Sequence, residues 1–281
     1  MTLPAKPEAL AAPRANVTRL HPATFISFEN VGKTFVTKTG DRVEAIRDVS
    51  FAVPKNEFVT IVGPSGCGKS TLLRMLAGLL PPTIGRVLID NRSVKEPVAD
   101  VGMVFQRPAL LPWRNVLGNV LLPAIILGMD SATAMERAHD LLELVGLQDF
   151  AKKYPNELSG GMQQRVAICR ALMCRPMLLL MDEPFAALDA MTREDLSIEL
   201  MRIWQHETKT VLFITHSITE AVLLADRIVV ISSRPGTVMQ TINVNIPRPR
   251  DIATTECAEF QAYAGTVRAA IGGCRGGACR V

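Results

Sequence analysis

The sequence predicts an α/β fold with a parallel core sheet, an N-terminal antiparallel β subdomain and an inserted helical subdomain. Three observations carry this expectation. Five short apolar runs recur along the chain: FVTIVG, VGMVF, MLLLMD, VLFIT and RIVVIS. Each is continuous rather than alternating, as strands buried on both faces are. Stretches with helical period separate them, which is the pattern of a parallel sheet with helices on both sides.

The elements follow in order. Residues 1–23, rich in proline and alanine, are expected to form a disordered lead. FISFENVGKTF and AIRDVSFAV read as strands, with TKTGDR between them as a hairpin turn. FVTIVG runs into a glycine-rich loop, and LLRMLAGLL follows as a helix. Between VGMVF and MLLLMD no strand pattern occurs. There SATAMERAHDLLELVG places Ala134, Ala138, Leu141, Leu142 and Val145 on one helical face, and Gly146 suits a C-terminal cap. GMQQRVAICRALM reads as a second helix, so residues 107–166 are expected to form the helical subdomain. The main domain spans residues 24–250. In the tail, residues 251–281, ECAEFQAYAGTVRAAI has the character of one helix.

Composition narrows the function. Hydrophobic residues make up 48% of 281, enough for a sizeable core, and the net charge of +4 is not gathered into a basic stripe. That argues against nucleic-acid binding. The first segment has prolines where a secretory h-region would be apolar. No run reaches the ~18 apolar residues of a membrane span, and VLLPAIILG is broken by Pro123 and Gly128. Of six cysteines, Cys169 and Cys174 fall in a predicted helix and read as reduced core thiols, while Cys274 and Cys279 lack the spacing of a metal site.

The segment Gly63-Pro64-Ser65-Gly66-Cys67-Gly68-Lys69-Ser70-Thr71 matches the phosphate-loop pattern G-x-x-x-x-G-K-[ST]. Glycines let successive N–H groups turn inward toward phosphate oxygens, and the following helix adds its positive end. In that pattern Lys69 reaches the β- and γ-phosphates of ATP and the Ser70 hydroxyl ligates Mg²⁺. At average glycine usage of about 7%, chance supplies the pattern about once in a hundred such chains. The strand before it and the helix after it reduce that further.

MLLLMDEP ends an apolar strand in two carboxylates. Strands of such a sheet deliver their C-terminal ends to the ligand crevice. Asp182 is therefore expected to face Mg²⁺ through water, and Glu183 to polarise an attacking water as general base. A solvated strand end is the plainer alternative, and the phosphate loop upstream argues against it.

Leu158-Ser159-Gly160-Gly161-Met162-Gln163-Gln164-Arg165 resembles the LSGGQ signature of the ATP-binding-cassette (ABC) ATPases. Its residue types also make physical sense: Ser159 with Gly160 and Gly161 at a helix start gathers a hydroxyl, N–H groups and a helix dipole on an anion. The resemblance extends from Phe25 to Arg250 with the motifs in family order. It implies that Gln106 is the glutamine that touches Mg²⁺ and the attacking water. It also implies that Asp189 lies in the loop running between two active sites, that His216 contacts the γ-phosphate, and that Phe35 stacks on adenine. Asn56 and Ala186 depart from the family pattern, which usually has glycine and frequently serine there.

In that family two cassettes sandwich two ATP molecules, the signature segment from Ser159 to Gln163 acting on the partner's nucleotide. The resemblance thus implies an ATPase homodimer, peripheral on the cytoplasmic face of the membrane, that docks on separate permease subunits. A substrate-binding protein outside the membrane is an indirect partner. FQRPALLPWRNVLGNVLLP and NIPRPRD look most like the nitrate/sulfonate/taurine importers, which implies a small anionic nutrient. Alternatives are an importer ATPase for another small nutrient, or a soluble cassette of DNA repair or translation. The latter usually carries a coiled-coil insertion or a second cassette, and neither is visible. A small-molecule kinase lacks the signature segment. Two further expectations concern surfaces. Cys67, beside Lys69 at a helix start, is placed to be a reactive thiol, the alternative being a buried inert one. The apolar segment with Leu110, Leu111, Pro112, Trp113 and Val116 is placed to touch a membrane partner, the alternative being that it packs the helical subdomain internally.

Overall fold

The computed structural model describes residues 24–273; the lead (1–23) and the tail cysteines Cys274 and Cys279 lie outside the described residues. The chain opens with strands β1 (Thr24–Val36) and β2 (Arg42–Pro54), an antiparallel hairpin closed by a turn in which Thr37 N donates to Asp41 O at 2.9 Å. Strand β3 (Phe58–Val62) leads into helix α1 (Lys69–Leu76). Strands β4 (Ile84–Ile89) and β5 (Arg92–Ser93) then return to β1 and complete a four-stranded antiparallel sheet in the order β2-β1-β4-β5.

Strand β6 (Val101–Val104) begins the second half. The strand-free stretch after it holds α2 (Val116–Val120), α3 (Leu122–Ile126), α4 (Ser131–Leu144) and α5 (Gly160–Leu172). Then come β7 (Leu178–Asp182), α6 (Ala190–His206), β8 (Thr210–Thr215), α7 (Ile218–Leu224), β9 (Arg227–Ile231), β10 (Val238–Asn243) and α8 (Ala258–Gly273). The main sheet runs β10-β9-β3-β8-β7-β6, parallel from β9 to β6, with β10 antiparallel at the edge.

The strands alternate between two cores, which is why both of their faces are apolar. Phe58, Val62, Leu179, Met181, Val211, Phe213, Ile228 and Val230 pack with α2 and α4 to α8. Val59, Ile61, Leu178, Leu180, Leu212, Ile214, Val229 and Ile231 face the other way, onto α1 and the antiparallel sheet. Helices lie on both sides, as expected, but unequally. One face carries helices, but the other is covered by α1 together with the β1–β2–β4 sheet, whose Phe25, Ile26, Phe28 and Val49 supply the apolar surface. The sequence shows a hairpin but not where it docks.

Helix ends follow their side chains. Asp130, Ser159, Asp189 and Ser217 each accept an N–H of the first turn of α4, α5, α6 and α7. Gly146, at φ +65°, turns the chain out of α4. Asn56, at φ +63°, takes the left-handed conformation that asparagine tolerates, and its N–H donates to Thr210 Oγ1 at 2.9 Å. VLLPAIILG spans the last residue of α2 and the whole of short helix α3, with Pro123 in the first turn of α3. Helix α8 begins at Ala258, so Glu256 and Cys257 precede it.

The segment after β10 is stitched to α7 by two arginines. Arg250, 3% exposed, donates to the carbonyls of Val222, Leu223 and Ala225 at the end of α7 and to those of Val244 and Ile246. Burial pushes its guanidinium down to about 10, still protonated at neutral pH. Arg248 donates to Leu224 O and to Asp226, and lies 4.4 Å from the Trp204 ring centroid.

Candidate active site

The sheet register aligns four strand ends. Val62 pairs with Thr215, Asp182 with Ile214, and Val104 with Met181. The residues that follow, in the phosphate loop and at Gln106, Glu183 and His216, therefore emerge on one edge. The phosphate loop, Gln106 and Glu183 line a cavity of about 300 Å³, and His216 adjoins it through Glu183. Its wall runs from Phe35, Val43 and Ala45 across Ser65, Gly66, Gly68, Lys69, Ser70 and Thr71 to Gln106 and Glu183, and includes Arg234.

The phosphate loop is wedged in place. A Cβ at Gly63 would lie 2.5 Å from Ile231 O, and one at Gly68 2.4 Å from Ile46 Cδ1. Gly68 also sits at φ +99°, which other residues rarely adopt. It precedes α1 without a side-chain cap, so the first N–H groups of that helix are left to an external anion. Lys69, 4% exposed, donates from Nζ to Gly63 O (3.0 Å) and Pro64 O (3.1 Å) and stands 3.6 Å from Glu183 Oε1. Pro64, Ser65 and Gly66 form the outer rim. Cys67 is 1% exposed and packed inward, so the reactive-thiol expectation is corrected: the loop turns its thiol into the core.

Ser70 Oγ donates to Asp182 Oδ1 at 2.7 Å. Burial pushes the Asp182 carboxyl above its ordinary value; the Ser70 bond opposes this, and the charge of Glu183 adds to it. Hydroxyl and carboxylate oxygens are hard donors that suit Mg²⁺, an ion that completes its shell with water and substrate phosphate oxygens. Ser70 and Asp182 supply two such donors side by side, which fits an ion that takes its other ligands from water and phosphate. A raised carboxyl favours folding below its unfolded pKa, 3.8, and that contribution is lost as pH rises through the folded value. Asp182→Asn is thus expected to raise the melting temperature of the nucleotide-free chain at pH 7, with the gain shrinking toward pH 4. It should also remove any Mg²⁺-dependent increment in the presence of ATP. Scanning calorimetry across pH, with and without Mg-ATP, checks both signs.

Glu183 adopts φ +46°, an uncommon backbone for a non-glycine residue, held by its N–H donating to Ile214 O at 3.0 Å. The turn aims its carboxylate back over the sheet edge. Oε1 faces Lys69 and Oε2 is 3.2 Å from His216 Nδ1. Gln106 is exposed on the same cavity. Phe35 is 40% exposed with Lys33 Nζ 5.4 Å from its ring centroid, whereas Phe25 and Phe28 are core residues at 5% and 1%.

The signature residues do not line this cavity. Ser159 and Gly160 are exposed at the start of α5, where Ser159 Oγ accepts from Met162 N at 3.3 Å. Gly161 is buried: a Cβ there would meet Thr192 Cγ2 at 2.7 Å, so the starts of α5 and α6 touch. Gln163 folds back to donate to Pro155 O at 2.9 Å. Asp189 is exposed and accepts from Thr192 N and Oγ1 at 3.0 and 2.7 Å; those bonds hold its carboxyl low.

Several connecting residues escaped sequence reasoning. Glu220, 6% exposed, accepts from Thr215 Oγ1 at 2.5 Å and faces Arg193 Nε at 3.6 Å; Arg193 donates to Leu188 O at 3.0 Å. The His216 turn and the Asp189 turn are thereby joined. Gln164 donates to Phe105 O, and Arg170 to Pro108 O and Ala109 O, tying α5 to the loop after β6. Buried Asn119 holds the same loop through Leu111 and Arg114. None of these pairs has a periodicity signal. In that loop Trp113 is 72% exposed and Pro112 is exposed, but Val116 is fully buried and Leu110 packs against the core. The expected apolar surface thus loses Val116, whose place in α2 turns it inward.

Comparison with known proteins adds independent findings. The family model described as ABC transporter matches residues 46–186. The taurine import ATP-binding protein TauB of Rhizobium johnstonii is 49% identical over 214 residues, 76% of this chain and 82% of that protein. The nitrate import ATP-binding protein NrtD of Synechococcus elongatus is 46% identical over 230 residues, 81% of this chain and 84% of that protein. Among solved structures, a dimeric ATP-binding cassette in a post-hydrolysis state with ADP and Pi superposes with a TM-score of 0.69. It is 35% identical over 79% of this chain and all of that one.

Proposed function

The chain belongs to the ABC transporter ATP-binding family, and from that premise we propose that it is the ATP-hydrolysing subunit of an importer for a small anionic nutrient such as taurine, a sulfonate or nitrate. The observation that carries the catalytic part is the meeting of Lys69, Glu183 and Gln106 on one cavity, with His216 against Glu183. Glu183 lies 3.6 Å from the lysine and 3.2 Å from the histidine.

We assign the roles that the family resemblance implies, and the geometry supports them. The α1 N-terminus and the loop from Gly63 to Thr71 hold the phosphates, and Lys69 swings from the loop carbonyls to the phosphate charge. Phe35 supplies a face for the base. Glu183 accepts a proton from the attacking water, while His216 orients Glu183 and meets the γ-phosphate. Ser70, Asp182 and Gln106 would hold Mg²⁺, whose chemistry is to offset phosphate charge. Ser159, Gly160, Gly161 and Gln163 stand outside the cavity, with Ser159 and Gly160 exposed at the helix start, which supports their acting on nucleotide held by a second copy. Asp189 sits at the turn between the two sites.

No helix among the described residues is long and apolar enough to cross a membrane. As the family resemblance implies, the permease is a set of separate subunits, met from the cytoplasmic face, with a substrate-binding protein delivering the nutrient on the other side. The import names carried by TauB and NrtD support the nutrient class. The exposed Trp113 loop, tied by Gln164 and Arg170 to the signature helix and beginning at Gln106, is suited to carry nucleotide state to the permease. Trp113→Ala is expected to leave basal ATP hydrolysis near wild type and to abolish co-purification with the permease. A deletion strain should fail to grow on taurine, an alkanesulfonate or nitrate as sole sulfur or nitrogen source. Wild type should restore that growth and Trp113→Ala should not. Normal growth of the deletion strain on all three overturns the nutrient assignment. Recovery of the protein only in soluble complexes overturns the transport role in favour of a soluble cassette.

A further inference from the structure

The turn between β9 and β10, residues 232–237, is built against the phosphate loop, although 168 residues separate Arg234 from Gly66. The turn ties itself together: Ser232 N donates to Thr237 O at 2.9 Å, and Ser232 Oγ accepts from Thr237 N at 2.9 Å and donates to Pro235 O at 3.1 Å. It is also fixed to the neighbouring sheet. Gly236 N donates to Ala45 O at 2.9 Å, and Arg47 N donates to Gly236 O at 3.0 Å, adding a parallel bridge to β2. On its third side it rests on the phosphate loop so closely that a Cβ at Gly236 would stand 2.2 Å from Cys67 O. The turn thus braces three parts of the cavity against one another.

Arg234 projects from this brace. Its Nη2 and Nε donate to Gly66 O at 3.1 and 3.3 Å, and it forms part of the cavity wall. No ion pair among the described residues includes it. Lys69, the other cation of the wall, faces Glu183. A guanidinium carries five N–H donors, so two bonds to one carbonyl leave donors to spare.

We propose that Arg234 is a nucleotide-binding residue: anchored on the Gly66 carbonyl, it presents its charge and remaining N–H groups to the α- and β-phosphates of the bound nucleotide. This rests on reading the cavity as an ATP site. Loop N–H groups of this pattern cradle the α- and β-phosphates and the lysine reaches β and γ. Arg234 meets the loop at Gly66, three residues before that lysine. Planar, charge-assisted donors are the chemistry that recognises phosphate oxygens.

The test uses the full chain and displacement of trinitrophenyl-ATP by ATP, ADP and adenosine. Arg234→Gln keeps N–H donors for Gly66 O but removes the charge; Arg234→Lys keeps the charge. The Gln variant is expected to weaken ATP and ADP about tenfold and adenosine not at all, with an unchanged nucleotide-free melting temperature. The Lys variant is expected to recover most of the loss. Wild-type affinity of the Gln variant for ATP and ADP overturns the proposal, and so does an equal loss for adenosine, since either makes Arg234 a brace alone. Failure of the site reading looks different: there, wild type itself binds no ATP, or Lys69→Ala binds it as well as wild type.

Discussion

Glu183→Gln is expected to bind ATP with near-wild-type affinity and to hydrolyse it roughly 10²–10⁴-fold more slowly. The amide keeps the length and shape of the carboxylate, so the left-handed turn at φ +46° and the Ile214 bond that holds it are retained. What disappears is the proton acceptor. Lys69 also loses a carboxylate 3.6 Å away, which leaves its charge to the phosphates and works against any loss of affinity. The kinetic signature is a fall in kcat with little change in KM. Trapped ATP should hold two chains together, so the variant should elute as a dimer with ATP under conditions where wild type with ADP does not. Turnover close to wild type would remove Glu183 from the role of base and leave it as a partner of His216 and Lys69.

The second large effect separates the two halves of each site. Lys69→Ala and Ser159→Arg are each expected to be inactive alone. The first loses the buried cation of the phosphate loop, and the second places bulk and charge at the exposed start of α5. A two-fold pairing puts each chain's loop against the other's helix start. In an equal mixture half of the dimers are mixed, and each of those has one site with both defects and one with neither. About one quarter of the wild-type sites is therefore restored. Recovered hydrolysis near that level, rising with total concentration, is the expected result if one intact site suffices for turnover. An active monomer, or a mixture as inactive as its parts under conditions where wild type dimerises, counts against the shared site.

Much of this was readable in sequence because it is local. The glycine pattern from Gly63 to Ser70, the paired acids ending an apolar run and the Ser-Gly-Gly helix start each lie within a few residues. Their neighbours in sequence are also their neighbours in space. The five parallel strands were readable for the same reason, since burial on both faces leaves continuous apolar runs. What was not readable depends on distances the chain closes only when folded. Phe35 could not be separated from Phe25 and Phe28 by pattern, because all three lie in one strand. Burial at 5% and 1% against 40% separates them. Cys67 looked reactive by position, yet the loop's curl directs it inward. Val116 looked like part of a surface, but a single turn of α2 places it in the core. Glu220, Arg193 and Arg234 carry no motif, and the contacts Arg193–Glu220 and Arg234–Gly66 join residues 27 and 168 positions apart.

The two arginines after β10 bear on how far this cassette can be treated as a module. A chimera that keeps residues up to Asn243 and takes its remaining length from another protein inherits the end of α7 without its donors. The carbonyls of Val222, Leu223 and Ala225 then lose Arg250, and that of Leu224 loses Arg248. Buried acceptors left in that state cost about 1–3 kcal/mol each, a large share of the stability of an ordinary domain. Because α7 follows directly from His216, the damage would reach the reaction centre from the opposite end of the chain. Splice points for swapping parts between relatives therefore belong after Arg250, where the donors travel with the helix they cap.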